Sequence, residues 1–389
     1  MTGELGVGIA GLGAATEQTL PSFRSPPQGV RLVGAADLRE EARKGFAENY
    51  GLPTYDSVEA LCAARDVDVV WVSTPNPVHC EHVLLAARHG KHVICEKPMA
   101  VTIEQCDRMV EACARAGVKF IQGHSKIFDS PIRAMREVVA SGRLGQIIQI
   151  NSWNYNNWLQ RPRLASEVDT AQGGGLVFRQ GPHHIDIVRY IAGGMAKTVR
   201  GVAGRWDPHF DTEGNFSALI TFENGAVATL GFNAYGYFDI VELAWNISEG
   251  GGVVDDPRTR KPRPRVTGPL SAAEKYRWAR SAGPAHERPQ GARKMPFFGL
   301  TIVACERGHI RQSPDGLFVY TENGCEEIVI QHNAGREAEL VELTSAIKED
   351  RPAFPDAAWG RATLEVCLGI LQSSRESREI ALTKQVPAR

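Results

Sequence analysis

Within its first 122 residues the chain repeats one pattern, a short and almost wholly apolar run followed by a stretch of helical spacing. The runs fall at 5–10, 30–36, 67–73, 92–95 and 118–122. A strand with one wet face alternates apolar and polar residues, so unbroken apolar runs suit parallel strands covered by helices on both faces. Ser57 opens one intervening helix as an N-cap, and Thr102-Ile103-Glu104-Gln105 opens another as a capping box. Gly90 and Gly117 stand where helices should stop. The pattern predicts a doubly wound α/β domain over residues 1–122.

Past residue 123 the period changes to two. Strands are expected at 147–153, 198–205, 216–222, 226–232 and 240–248, with a hairpin turn at Glu223-Asn224-Gly225. This predicts a second α/β domain over 123–356, built on a large open, mainly antiparallel sheet. Helices are expected at 337–347 and 362–371, the terminal one, about 357–377, returning to the first domain. Residues 257–294 carry eleven basic and two acidic side chains with little periodicity, so a surface loop is expected. It reads equally as a positively charged lid or oligomer arm and as a solvated insertion.

A net charge of −1 gives no electrostatic reason to seek nucleic acid or membrane, and a small molecule is the expected partner. No basic region followed by an apolar stretch opens the chain, and no uninterrupted apolar run of about twenty residues occurs, so a cytoplasmic location is expected. The eight cysteines lack paired zinc spacing, and neither a metal site nor a disulfide framework is expected.

Gly11-Leu12-Gly13-Ala14-Ala15 follows the first strand and opens a helix. Gly11 permits the tight turn, Gly13 lets the backbone approach a pyrophosphate, and the helix start supplies N–H donors. Thr16 occupies the place where a third glycine or alanine is usual. Asp37 ends the second strand, where a carboxylate accepts from ribose hydroxyls and repels a 2′-phosphate, so NAD is expected in preference to NADP. Leu38 and Arg39 flank the same position, and the arginine works against that preference. Lys97 follows the strand at 92–95 and is expected to point into the ligand crevice.

Two segments in order, Ser73-Thr74-Pro75-Asn76-Pro77-Val78-His79 and Val93-Ile94-Cys95-Glu96-Lys97-Pro98, resemble the paired motifs of the glucose–fructose oxidoreductase, inositol dehydrogenase and MocA family, and the similarity runs to the terminal helix. The resemblance implies that Thr74, Pro75, Asn76 and His79 line the cofactor. It also implies that Glu96 lies near the nicotinamide ribose and that Lys97 contacts nicotinamide and substrate. Gly173-Gly174-Gly175 and the following Gly181-Pro182-His183-His184-Ile185-Asp186 are similar to the family's second catalytic segment, with His183 at the catalytic histidine. Lys97 and His183 are then expected to meet over the nicotinamide. An imidazole there takes an alcohol proton as its carbon loses hydride.

Arg179 stands where the family carries a carboxylate. A guanidinium presents a planar fork suited to carboxylates and cannot orient an imidazole as an acceptor. Arg161 and Arg163 add positive charge nearby, with Tyr155 and His184 as further candidate substrate contacts. Arg161-Pro162-Arg163, Asp169-Thr170-Ala171-Gln172 and the segment 306–316 resemble the phthalate dihydrodiol (4,5-dihydroxyphthalate) dehydrogenase branch of the family. That resemblance implies an NAD(P)-dependent oxidoreductase of aromatic catabolism, acting on CH–OH or CH–CH groups of an anionic aromatic cis-dihydrodiol. A sugar or cyclitol dehydrogenase, and a non-redox enzyme using tightly bound NAD transiently, are the other readings. The family habit further implies a homodimer or homotetramer paired through the second domain's sheet.

Overall fold

The computed structural model describes residues 4–24, 26–254, 265–271, 274–275, 293–332 and 335–389, so most of the basic stretch expected as a loop lies outside the described residues. The chain divides into two compact units, Met1–Ser125 with Gly335–Leu364 and Lys126–Ala334 with Glu365–Arg389.

In the first unit, β1 (Leu5–Ala10), β2 (Val30–Ala36), β3 (Thr54–Tyr55), β4 (Val69–Val72), β5 (His92–Cys95) and β6 (Phe120–Gln122) form one sheet in the order β3-β2-β1-β4-β5-β6. Every neighbouring pair is parallel. All of β1 and β4 is buried, which is why those strands read as unbroken apolar runs. The crossovers are α1 (Ala14–Thr19), α2 (Glu40–Tyr50), α3 (Val58–Ala63), α4 (His79–Arg88) and α5 (Ile103–Ala116). Ser57 caps α3 by accepting from the Ala60 N–H, and Thr102 with Gln105 forms the expected capping box on α5. The strand order reverses between β1 and β4, and in such sheets the crevice outside the carboxyl ends of those strands receives ligands.

In the second unit, nine strands lie in the order β14-β13-β12-β11-β7-β10-β9-β8-β15. They are β7 (Ile147–Tyr155), β8 (Ala196–Gly204), β9 (Asn215–Phe222), β10 (Val227–Asn233), β11 (Leu300–Cys305), β12 (Gly308–Ser313), β13 (Gly316–Thr321), β14 (Gly324–Val329) and β15 (Ile380–Ala381). All neighbours are antiparallel except β7 and β10. The helices of this unit begin with α6 (Ser130–Ala140), α7 (Gly175–Arg179) and α8 (Gly181–Ala192), and α8 packs against β7.

Three expectations are corrected. Residues 240–248 form no strand: Asp239 accepts the Val241 N–H and starts a 3₁₀ turn over Ile240–Leu243, and Trp245 and Asn246 follow in the left-handed region. Strands β11 to β14 were not expected from the pattern, although Asp315-Gly316 and Asn323-Gly324 mark two of their turns. Finally, α9 (Glu337–Lys348), expected in the second domain, lies in the first unit. The terminal helix α10 (Ala357–Glu376) is shared, with the first unit through Leu364 and with the second from Glu365.

Candidate active site

At the end of β1, Gly11 has φ +94°, and a Cβ there would lie 2.8 Å from the Ser73 carbonyl oxygen. No side chain can replace it without separating β1 from β4. A Cβ on Gly13 would meet nothing within 4 Å, so the backbone there is open to a phosphate group. Ala14 and Ala15 begin α1, adding only small side chains beside that opening. Thr16, the departure from the usual glycine pattern, is buried, and its hydroxyl donates to the Gly11 carbonyl at 2.5 Å. It closes the turn that a third glycine would leave to packing.

Asp37 lies at the end of β2 and accepts from the Leu12 N–H at 2.8 Å and the Arg39 N–H at 2.9 Å. Arg39 folds back, with Nε 3.0 Å from the same carboxylate and Nη2 donating to the Leu12 carbonyl. Burial pushes the Asp37 carboxyl up, but the Arg39 guanidinium and the two N–H groups outweigh it and hold the group below the usual carboxylate range. Leu38 stands 87% exposed beside this carboxylate, an apolar surface that an adenine face would cover. These residues fit a dinucleotide: an open backbone at Gly13, an ionised Asp37 and an uncovered Leu38.

After β4, the Thr74 hydroxyl bonds His82 Nδ1 at 2.8 Å; Pro75 is exposed and Asn76 buried. His79 corrects an expectation. Its ring is fully buried, with Nε2 2.7 Å from the Thr74 carbonyl and Nδ1 3.0 Å from the Pro98 carbonyl. It ties the Thr74 turn to the loop carrying Lys97 and presents no surface to a ligand. Glu96 is also buried, and Arg336, which the sequence pattern did not single out, donates to it at 2.7 Å and to the Thr19 hydroxyl at 3.1 Å. Burial raises the Glu96 carboxyl, but the Arg336 charge and hydrogen bond outweigh that, and the group lies below its ordinary range. Lys97, the next residue, is half-buried.

In the second unit, His183 is in the first turn of α8, 8% exposed, its ring edge-on to Phe298 at 5.2 Å. Lys126 approaches the same Phe298 ring at 5.8 Å and pairs with Asp129 at 3.2 Å, a buried cation beside the histidine that sequence reasoning missed. His184 is not a substrate contact: it is fully buried among Phe216, Phe232 and Phe298, with Nε2 2.7 Å from the Ser152 hydroxyl. Tyr155 is not placed with it either. Ser152 and Asn154 are buried on the α8 side of β7, whereas Trp153 and Tyr155 point to the opposite, open face.

The arginines do come together. Arg163 stacks over the Trp158 ring at 4.3 Å, and its Nε donates to the Trp158 carbonyl at 3.2 Å. Among the described residues its two Nη atoms have no hydrogen-bond partner. Arg161 donates through Nε to Asn157 at 3.0 Å. Arg179 reaches Glu167 at 3.2 Å, and Lys275 pairs with the other oxygen of the same carboxylate. Burial, together with Arg161 and Arg179, pushes the Arg163 guanidinium down to about 9 despite the opposing pull of Glu167. Glu167 itself is raised by burial but held low overall by Arg179 and Lys275.

Comparison with known proteins agrees with this geometry. Residues 5–124 match the oxidoreductase family with an NAD-binding Rossmann fold, and residues 132–242 match the GFO/IDH/MocA C-terminal domain. The chain belongs to the Gfo/Idh/MocA oxidoreductase family. One relative, 1-carboxy-3-chloro-3,4-dihydroxycyclohexa-1,5-diene dehydrogenase of Comamonas testosteroni, is 35% identical over 377 residues, 95% of this chain and 94% of its own. Inositol 2-dehydrogenase of Burkholderia cenocepacia is 31% identical over 192 residues, 49% of this chain and 55% of its own. A crystal structure of a dehydrogenase from Bordetella bronchiseptica RB50 superposes with TM-score 0.87 at 34% identity, over 97% of this chain and 100% of that one. An Agrobacterium radiobacter oxidoreductase solved with NAD+, L-tartaric acid and magnesium shares the fold, at TM-score 0.73 and 18% identity over 97% of this chain and 98% of that one. This family member is thus an NAD-binding oxidoreductase, and among the described residues no helix is long and apolar enough to cross a membrane and no cluster could hold a metal.

The buried His184 carries a pH dependence of its own. Desolvation pushes its imidazole from 6.5 down to about 3, so the unfolded chain binds the proton more tightly. Stability from this group is complete above pH 6.5 and falls as the pH drops towards the folded value, by about 1.4 kcal/mol per pH unit. Urea unfolding between pH 6.5 and 5 should lose stability more steeply with acid in the parent chain than in His184→Leu, the difference approaching that slope at the acid end, while His82 and His92 contribute equally to both. An equal slope in both would contradict the buried neutral state.

Proposed function

We propose that the chain oxidises a carboxylated cyclohexadiene cis-diol, related to phthalate 4,5-cis-dihydrodiol, to the dihydroxy aromatic acid. The observation that carries this reading is Arg163: a recessed guanidinium, stacked on Trp158, with both terminal nitrogens facing no described partner and with Arg161, Arg179 and Lys275 as its cationic neighbours. Such a fork recognises a planar carboxylate by two parallel hydrogen bonds. The substrate in the name of the Comamonas relative is likewise a ring bearing one carboxyl and two hydroxyls, with a chlorine besides. Arg161 is the supporting ligand, and Arg179, paired with Glu167, supports through its charge.

His183 accepts the proton of one ring hydroxyl while the carbon bearing it loses hydride, and the Lys97 ammonium stabilises the negative charge developing on that oxygen. NAD, when bound, is the hydride acceptor. The hydroxy-enone left behind tautomerises to a catechol, and the aromatic ring gained makes the step run forward. Gly11 to Ala15 hold the pyrophosphate, Asp37 and Leu38 the adenosine, and Thr74, Pro75 and Asn76 the remainder of the dinucleotide. Glu96 fixes the strand end that carries Lys97. Asp37 is held ionised and favours NAD over NADP by repelling a 2′-phosphate, a preference that the Arg39 charge beside it tempers. The reaction draws on the cytoplasmic NAD pool.

A second copy of the chain covers the open sheet face. Trp153 and Tyr155 on β7, Leu219 on β9 and Val202 on β8 lie 38% to 57% exposed on that one face, large apolar side chains that a partner sheet would withdraw from water. Light scattering should return a dimer or tetramer mass at micromolar concentration, and a monomer mass would contradict the pairing.

The catalytic reading is tested at the NADH absorbance band with NAD and 1-carboxy-3,4-dihydroxycyclohexa-1,5-diene. Turnover is expected, and Arg163→Ala should raise KM about a hundredfold with a much smaller change in kcat. Turnover of inositol or other neutral polyols, with indifference to Arg163→Ala, would establish a cyclitol dehydrogenase instead. Retained NAD without net NADH release would establish a non-redox enzyme.

A further inference from the structure

Glu167 occupies an unusual position in this chemistry. It is a carboxylate set among the cations around the proposed substrate carboxylate, and it contacts two of them directly, Arg179 at 3.2 Å and Lys275. Its Oε2 also accepts the Leu164 N–H at 2.8 Å, which anchors it to the backbone of the arginine segment. Lys275 comes from the basic stretch, and the described residues before it are pinned to the same segment. Val266 N–H donates to the Gln160 side chain at 2.9 Å, Leu270 N–H donates to the Arg163 carbonyl at 2.6 Å, and Leu164 and Leu270 form a parallel bridge. Glu167 is therefore fixed by three separate groups and is no passing surface ion pair.

We propose that Glu167 stands in for a second ring carboxylate, so that the pocket accepts a substrate with one carboxylate and rejects a dicarboxylate, Lys275 and Arg179 being held by Glu167 and Arg163 reading the substrate. The inference rests on the reading given under Proposed function. Its physical basis is local charge: Arg179 and Lys275 are already paired with Glu167, which leaves Arg163, with Arg161 beside it, to face the one incoming carboxylate. A second substrate carboxylate would have to compete with Glu167 for Arg179 and Lys275, at close range to a fixed like charge, and repulsion at a few ångströms outside bulk water suppresses binding by about tenfold or more. Replacing Glu167 by its uncharged isostere keeps the volume and releases both cations to a ligand.

The test is calorimetric titration of the NADH-loaded protein with three product-like probes, 3,4-dihydroxybenzoate, 4,5-dihydroxyphthalate and catechol. The parent chain should bind the monocarboxylate at least about tenfold more tightly than the dicarboxylate, and Glu167→Gln should move that ratio towards the dicarboxylate by about tenfold or more. Lys275→Met, which strips Glu167 of one counter-ion, should move it the other way. Parent protein that prefers the dicarboxylate overturns the proposal whether or not the variants fold, and so does a ratio unchanged in folded Glu167→Gln. If catechol binds as well as either acid, and Arg163→Ala changes nothing, the carboxylate reading itself fails. Acid binding that depends on Arg163 but not on Glu167 refutes only the stand-in role.

Discussion

Two carboxylates withdrawn from water, each held by a guanidinium, organise the chemistry of this chain. A lone buried carboxylate is strongly disfavoured, whereas one paired and hydrogen-bonded can be kept in place and used as a fixed charge. Glu96 and Arg336 make the first pair at the end of β5, beside Lys97. Glu167 and Arg179 make the second, next to Arg163. The first joins the end of β5 and the Thr19 hydroxyl to a segment more than two hundred residues further along, so the loop bearing the lysine is held by covalent neighbours and by the returning chain. The second gathers positive charge that would otherwise disperse by mutual repulsion.

Much of this was readable in the residues. The limits of β1, β2 and β5 coincide with their apolar runs; β1 is buried throughout, and β2 and β5 admit a polar residue only near the start. Gly11 was legible for the same kind of reason, since only a residue without Cβ fits against Ser73. The arginine cluster was legible through Arg179, a cation where the family resemblance implied an acid. What escaped depends on partners far apart in sequence. Arg336 is an ordinary arginine until it is seen against Glu96, and Lys275 is one of eleven basic residues in its stretch until Glu167 is placed beside it. His184 and Tyr155 looked like site residues by proximity in the chain. Period two sends Tyr155 to the wrong face of β7, and the aromatic enclosure of His184 makes it a core residue. His79 shows a subtler error: it lies in the right motif, but its role is to bind two loops together.

Family membership fixes the redox fold and leaves specificity to the second unit. The sheet and its glycine turn supply what any dinucleotide oxidoreductase of this kind requires, whereas in the function proposed above the segment from Trp158 to Arg179 tells a ring carboxylate from a neutral polyol. A guanidinium stacked on an indole is well suited to that task, because the stack removes one face from water while the edge stays available to a planar acid. Burial and the neighbouring arginines lower its proton affinity, which a bound anion would restore.

A crystal structure of the protein with NAD and 3,4-dihydroxybenzoate tests this account most directly. The ligand's carboxylate should lie against the Arg163 terminal nitrogens at about 2.7–2.9 Å, with Glu167 still holding Arg179 and Lys275. A carboxylate bound away from Arg163, or a ring seated with its hydroxyls on the arginines, would contradict the claim that this pocket was built to read an acid.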